Sequence, residues 1–443
     1  MTGLIALQQA SADIAALGLS AAPLAHLGKV RTIAPDRVRI VGLGHRASVG
    51  DMVEIDPAGD AAMAEIVAVE DDLAEAFLIS AQDQLRVGMP VKHCGRKPVQ
   101  PNIHWRGRVL NGFGDPIDGL GPIPFVPGGA AVSVPQPLQR ERVAGGFQTG
   151  VRVIDIFTPL CHGQRVGLFA GSGVGKSTLL SMLAKNEDFD MVVISLVGER
   201  GREVTEFVQD TLGPDGLKKA AVIVATADAS PITRARAPEL AARVAQKFAC
   251  DGMRVLFLMD SITRYAHALR EIGIALGEPP VVRGYPASVF RRIPLLLERA
   301  GMFGNGGSVT SISAVLVDGD DHNDPIADAI RGTVDGHIVL ERAIAQSGRY
   351  PAVDILQSVS RLAERVWQPD ERELVRELVK LVSVFEDTRD IRMLGGYTPG
   401  GDPVADKAIR IVPQVYSYCS QSVVDAAPGV FERLATHLKG AVA

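Results

Sequence analysis

Apolar and polar positions alternate over residues 28–93, and then the rhythm changes. "DRVRIVGL" alternates residue by residue, and two units echo each other, "VGDMVEI" (49–55) and "VGMPVKH" (87–93). Short alternating runs broken by Gly and Asp turns predict a small β-barrel. "GRKPVQPN" (95–102) is polar and carries prolines, which marks a boundary. Beyond residue 104 the apolar runs become continuous: "RVGLFA" (165–170), "MVVISLV" (191–197), "AAVIVATA" (220–227), "VLFLMD" (255–260) and "TSISAVLV" (310–317). Helix-compatible stretches such as "KSTLLSMLAKN" and "APELAARVAQKFAC" (237–250) lie between them. Continuous apolar runs alternating with helices predict an α/β unit with a mostly parallel sheet covered on both faces.

After residue 368 the pattern turns helical. Asp370 and Glu373 in "PDERE" predict a capping box. Leu374, Leu378, Leu381 and Phe385 then share one helical face. The break "MLGGYTPGGDP" (393–403) separates this helix from a last helical region. The expected organisation is a barrel over 1–95, an α/β core over 96–367 and a helical domain over 368–443.

Bulk composition narrows the class. A chain of 443 residues exceeds one compact core, at roughly 100–200 residues per domain. A net charge of −5 offers neither a basic face for nucleic acid nor the charge of a disordered acidic chain. Cys94, Cys161, Cys250 and Cys419 are too far apart for metal-ligand spacing and are expected to be reduced and mostly buried. The first residues lack the basic segment of a secretory signal. No run approaches the ~20 apolar residues of a membrane span. A cytoplasmic protein is expected.

Four stretches carry chemistry. "GLFAGSGVGKSTLL" (167–180) has a Gly-rich turn between a strand and a helix, where successive backbone N–H groups cradle phosphate. Gly171, Ser172, Gly173, Val174 and Gly175 form the turn, Lys176 reaches the β- and γ-phosphates, and Ser177 offers a hydroxyl to Mg²⁺, followed by Thr178. The usual pattern asks for Gly where Ala170 stands, which is tolerable if φ is negative there. "VLFLMDS" ends an apolar strand on Asp260, suited to Mg²⁺ at the nucleotide crevice. Taken alone, that Asp is equally a turn former or helix cap. "VGERGREV" (197–204) sets Glu199 after a strand, where a carboxylate orients and deprotonates the attacking water. Glu203 supports the Mg²⁺ shell. The spacing alone leaves a solvated helix start open. "RYPAVDILQSVSR" (349–361) offers Tyr350 for stacking on a base and Arg361 for transition-state charge; by itself Arg361 also reads as a surface arginine.

In this order, the four elements resemble the catalytic subunits of the rotary ATPase superfamily. "PAVDILQSVS" matches that superfamily's Pro-x-hydrophobic-Asp-x-x-x-Ser-x-Ser signature. "GQRVGLFAGSGVGKSTLL", "VGERGREVTEF", "GEPPVVRGYPASVF", "LLERAG", "VDGDDHNDPIADAIRGTVDGHIVL" and "YPAVDILQSVSR" resemble the flagellar and type III protein-export ATPases most closely. The likeness runs from about residue 105 to 410. In that branch alanine is usual at the position of Ala170.

The resemblance implies an N-terminal β-barrel, a RecA-like P-loop core and a C-terminal helical domain, with ATP and Mg²⁺ as ligands. It makes Lys176 and Ser177 the phosphate and Mg²⁺ residues, Glu199 the catalytic carboxylate supported by Arg200 and Glu203, and Asp260 the second Mg²⁺ residue. Arg264 neighbours the γ-phosphate, Tyr350 packs on adenine, Tyr397 forms the other wall, and Arg361 acts across a subunit interface. It further implies a homohexameric ring that works on export substrates and their chaperones. A regulator, a stalk protein and a membrane export gate at the inner face of the cytoplasmic membrane are the other partners, and nucleic acid is not one. The alternatives are a virulence injectisome ATPase, an ATP synthase catalytic subunit and a ring-shaped RNA translocase. The slightly acidic chain, without an aromatic-rich oligonucleotide surface, argues against the last.

Overall fold

The computed structural model describes residues 27–57, 61–79, 84–124, 126, 141–143, 145–171, 173–317, 324–425 and 428–442. The N-terminal stretch read for a signal and Ser172 lie outside them. The chain divides into two compact units, 1–98 and 99–443.

In the first unit, alternation becomes a closed barrel. Among the described residues, strands Leu27–Ile33, Arg37–Val41, Met52–Ile55, Ala62–Glu70, Leu73–Leu78 and Pro90–Gly95 pair antiparallel. Their inward residues, including Val30, Ile40, Val53, Ile55, Ile66 and Val91, form one apolar core. The two echoing units are strands preceded by turns at Gly50 and Gly88, both left-handed. Closure leaves no unpaired sheet edge.

In the second unit the continuous runs become the middle of a nine-stranded sheet among the described residues. The order is Val359–Ser360, Gly336–Leu340, Arg165–Ala170, Ser308–Leu316, Arg254–Asp260, Met191–Val197, Ala220–Ala225 and Arg108–Asn111, with Gly301–Met302 beside Ser308–Leu316. The central pairings are all parallel. Met191–Val197 and Ala220–Ala225 are buried at every position, because helices pack on both faces of the sheet. The helix read from 237 starts earlier, at Pro231, and runs to Cys250. Pro231 suits a first turn, where its missing N–H has no partner to lose.

The C-terminal region is helical, over Pro369–Asp387, Arg389–Met393, Pro403–Cys419 and Val430–Val442. Its Val375, Leu378, Val415, Tyr418 and Leu434 belong to the same apolar core as Ile154, Leu168 and Leu180. The expected cap is corrected by two residues. Gln368 caps the helix, and its backbone N donates to Glu371 at 2.8 Å. The reason is Pro369, whose fixed φ starts the helix before Asp370. The buried face is Val375, Leu378, Leu381 and Val382, with Leu374 and Phe385 half-buried at its margins. The cysteines differ from expectation as well: Cys161 and Cys419 are buried, but Cys94 and Cys250 are exposed. Among the described residues no helix is long and apolar enough to cross a membrane.

Candidate active site

In a parallel sheet all strands end on the same side, and that is where a ligand crevice opens. Ala170 ends the loop strand, 1% exposed and paired with Leu316 and Leu340. Its backbone is extended, so the alanine meets no conformational obstacle. Gly171 is buried, Gly173 is left-handed and exposed, and Val174 is buried. Gly175, at φ 93°, caps helix Lys176–Ala184. An L side chain there would be strained, and only glycine turns the chain into the helix freely. Lys176, Ser177 and Thr178 open the helix, the last two exposed. Their N–H groups belong to the unpaired donors of its first turn.

Two neighbouring strands bring carboxylates to Lys176. Asp260 ends Arg254–Asp260 and is 4% exposed. Glu199 follows Met191–Val197 after Gly198, whose φ is 73°. A Cβ at Gly198 would lie 2.9 Å from the Cβ and Cγ of Arg264. Glycine therefore lets the Arg264 stem pass beside Glu199. Lys176 Nζ donates to Asp260 and, at 3.4 Å, to Glu199 Oε1. Burial pushes the Glu199 carboxyl up to about 7; Lys176 opposes this, while Asp260 and Glu203 add to it. Glu203 is held below the usual carboxylate range by a hydrogen bond from Glu199. Arg200 caps helix Gly201–Glu206 and points outward, within 4.0 Å of Glu203.

Ser177, Asp260, Glu199 and Glu203 line one cavity of about 140 Å³, closed by Leu196, Phe207 and Thr211. Neither Phe207 nor Thr211 was singled out in the sequence, because both belong to a π-helical turn, Phe207–Leu212, that no local pattern marks. A hydroxyl beside carboxylates is a hard oxygen set that fits Mg²⁺, which binds one or two carboxylates and completes its shell with water and phosphate.

Tyr350 lies against the loop: a Cβ on Gly175 would be 3.6 Å from its ring. Tyr350 is 45% exposed. Its carbonyl accepts from Gln421 N at 2.8 Å and Ser420 Oγ at 3.4 Å. The segment placed beside Tyr350 is thus Ser420–Gln421, which sequence reasoning missed. Tyr397 donates instead to Asp406, which also accepts from Gly400 N.

Arg361 is at the other end of the sheet. It follows edge strand Val359–Ser360, where Ser360 pairs with Gly336 and Gly336 with Val166. Its N donates to the Asp335 carbonyl at 2.9 Å, and Asp335 N donates to the Arg165 carbonyl at 2.9 Å. Arg165 is five residues before Ala170, roughly 16 Å along a strand. Arg361 is exposed and remote from the phosphate loop of its own chain.

Comparison with known proteins agrees with this architecture. Residues 150–360 match the nucleotide-binding domain of the ATP synthase alpha/beta family, and 367–438 match the C-terminal domain of the type III secretion ATPase EscN. The flagellum-specific ATP synthase of Agrobacterium fabrum is 49% identical, over 94% of this chain and 89% of its own length. A type 3 secretion system ATPase of Xanthomonas euvesicatoria is 41% identical over 89% of each. The assembled ATPase EscN of enteropathogenic E. coli, solved alone and with its central stalk EscO, superimposes with a TM-score of 0.83 at 35% identity, over 94% of this chain and 100% of that one. On this fold and at this similarity, the chain belongs to the family of flagellum-specific and type III secretion ATPases.

Proposed function

We propose that this chain is the ATP-hydrolysing component of a flagellar protein-export apparatus and works as a homomeric ring of six. Hydrolysis would help release chaperones from export substrates and unfold those substrates at a membrane gate on the cytoplasmic side. The observation that carries the hydrolytic reading is the meeting of Lys176, Asp260 and Glu199 at the ends of parallel strands. The flagellar reading leans on relatives of that name. The injectisome is the second reading, favoured by the likeness to EscN. The stalk partner is proposed from the EscN complex. A regulator completes the set of partners.

The residues divide the reaction between them. Backbone N–H groups from Gly171 through Thr178, with Ser172 among them, hold the phosphates of ATP. Lys176 exchanges its carboxylate partners for β- and γ-phosphate oxygens. Ser177 and Asp260 hold Mg²⁺, which neutralises charge on the phosphate oxygens when bound. Glu199 Oε accepts a proton from the attacking water. Glu203 shares that proton, and Arg200 tethers Glu203 from outside. Arg264 borders the γ-phosphate across Gly198. Tyr350 stacks on adenine, with Tyr397 proposed as the opposite wall. Arg361 of one copy stabilises charge in the next copy's site.

The test is a Glu199→Gln chain. Its turnover is expected to fall about 10²–10⁴-fold with ATP binding retained, measured by phosphate release and by binding of a fluorescent ATP analogue. Unchanged turnover removes Glu199 from the reaction. Hydrolysis is expected without RNA and to rise as rings form; strict RNA dependence would favour a translocase. A deletion strain that builds basal bodies but no filaments supports the flagellar reading, and intact filaments with lost effector secretion support the injectisome.

A further inference from the structure

Arg361 is bound, through its backbone, to the strand that carries the phosphate loop. Asp335 precedes strand Gly336–Leu340, and its carboxylate is gripped from several sides by one residue. Oδ2 accepts from Arg165 N and Nε, each at 3.0 Å, and Oδ1 accepts from Arg165 Nη2 at 3.0 Å. Arg165 extends its other amino group to Glu298. The Asp335 carbonyl takes the Arg361 N–H. The residue before, Ser360, accepts from Gln164 Nε2 at 3.1 Å and donates to the Pro159 carbonyl at 2.8 Å. Arg361 Nη2 donates to the Arg331 carbonyl at 3.2 Å.

The base of Arg361 is therefore fixed by Gln164 and Arg165, which lead into strand Arg165–Ala170. A bidentate guanidinium–carboxylate pair sets orientation as well as distance. The strand itself is hydrogen-bonded on both sides in parallel register. Arg165 and Asp335 touch none of the groups that meet at Lys176, so the catalytic carboxylates of the same chain give the pair no role.

We propose that Asp335, held by Arg165, is a positioning residue for Arg361: it fixes the arginine that one copy offers to its neighbour at a set place relative to the copy's own phosphate loop. This deepens the ring reading and rests on Arg361 acting in the neighbouring site. A pair that merely stabilised the fold would impair a copy wherever it sits in a ring. A positioning pair impairs only the site next door.

The test uses mixed rings of full-length chains. A copy with Arg361→Ala keeps its carboxylate but offers no arginine, and a copy with Glu199→Gln offers its arginine but does not turn over. The equimolar mixture is expected to hydrolyse ATP well above either chain alone. Adding Asp335→Asn to the Glu199→Gln copy is expected to lower that activity about tenfold to a hundredfold, the cost of a displacement of ~1 Å, with the altered copy's affinity for a fluorescent ATP analogue retained. Arg165→Lys in the same copy, which keeps the charge but loses the fork, is expected to act in the same direction and guards against a folding defect of the first variant. Placed instead in the Arg361→Ala copy, Asp335→Asn has nothing left to position and adds no further loss. Undiminished complementation by the Asp335→Asn donor, or an equal loss from either copy, overturns the inference. If Glu199→Gln fails to complement Arg361→Ala at all, the interfacial reading falls, and this inference falls with it.

Discussion

The two ends of the central sheet are built from different kinds of residue. At the end where the parallel strands finish, Asp260 and Glu199 meet Lys176, and burial raises the affinity of the Glu199 carboxyl for its proton. At the opposite end, Arg361 is exposed just past an edge strand, held by backbone bonds and an ion pair behind it. One end has the groups proposed to bind ATP and activate water. The other has a cation with no phosphate in reach, because five strand residues, roughly 16 Å, lie between them. The difference is what the proposed ring requires, with one copy holding most of a site and its neighbour supplying Arg361.

The largest effect is expected where that division is broken. Arg361→Ala is expected to cut kcat about 10³–10⁵-fold, the usual worth of an arginine placed on a transferring phosphoryl group. The isolated chain should keep its ATP affinity, read by fluorescence titration, because Arg361 lies far from its own loop. A collapse of affinity would mean that Arg361 serves the site of its own chain, and the contrast between the two ends would fail.

A smaller effect sharpens the chemistry of the loop end. Burial is the main cause that holds the Glu199 carboxyl near 7, well above its ordinary 4.5. As the proposed base it works only when deprotonated. Below pH 7, kcat/KM is expected to fall about tenfold per unit, and above it to level off. Glu199→Gln should flatten this limb along with lowering the rate. Stability carries the opposite sign. A carboxyl whose folded pKa is raised binds its proton more tightly in the folded state, so its contribution is most favourable at low pH and is lost as pH rises from about 4.5 to about 7. Glu199→Gln should therefore raise the thermal midpoint more at pH 8 than at pH 4. An increase that does not depend on pH would show that Glu199 does not titrate in this window.

The loop end was also the more legible of the two. Each of its residues follows an apolar run of five or more positions, and a strand that must be buried on both faces announces where it stops. The run "MVVISLV" became Met191–Val197 without change, which located Glu199. The two edge strands of the sheet are too short to show a period: Val359–Ser360 has two residues and Arg108–Asn111 has four. Arg361 was found through family resemblance, and its anchor Asp335 was not found at all, since hydrogen bonds from Arg165 span 170 positions in sequence. A separation of 70 positions likewise hid Ser420, and with it Gln421, behind Tyr350. Locally, Pro369 moved a cap by two residues, a change that helix period alone does not register. Patterns of apolar spacing report burial; they do not report which buried ends meet.

The smallest effect is expected at Ala170, the position where the loop departs from the common glycine pattern. Its methyl group is buried at the end of a strand with extended backbone, and its carbonyl accepts from Val317 N at 3.2 Å. The phosphate-facing turn begins after it, at Gly171. Ala170→Gly removes one buried methyl, about 0.8 kcal/mol, and loosens the unfolded chain by a further 0.5–1 kcal/mol, roughly. The second unit should therefore lose about 1.5 kcal/mol in denaturant unfolding, while kcat and KM for ATP stay within about twofold, a change worth only ~0.4 kcal/mol. If the glycine variant instead changes turnover by an order of magnitude, the residue shapes the loop and not merely the strand beneath it. The line between scaffold and site would then have to be drawn one residue earlier in the chain.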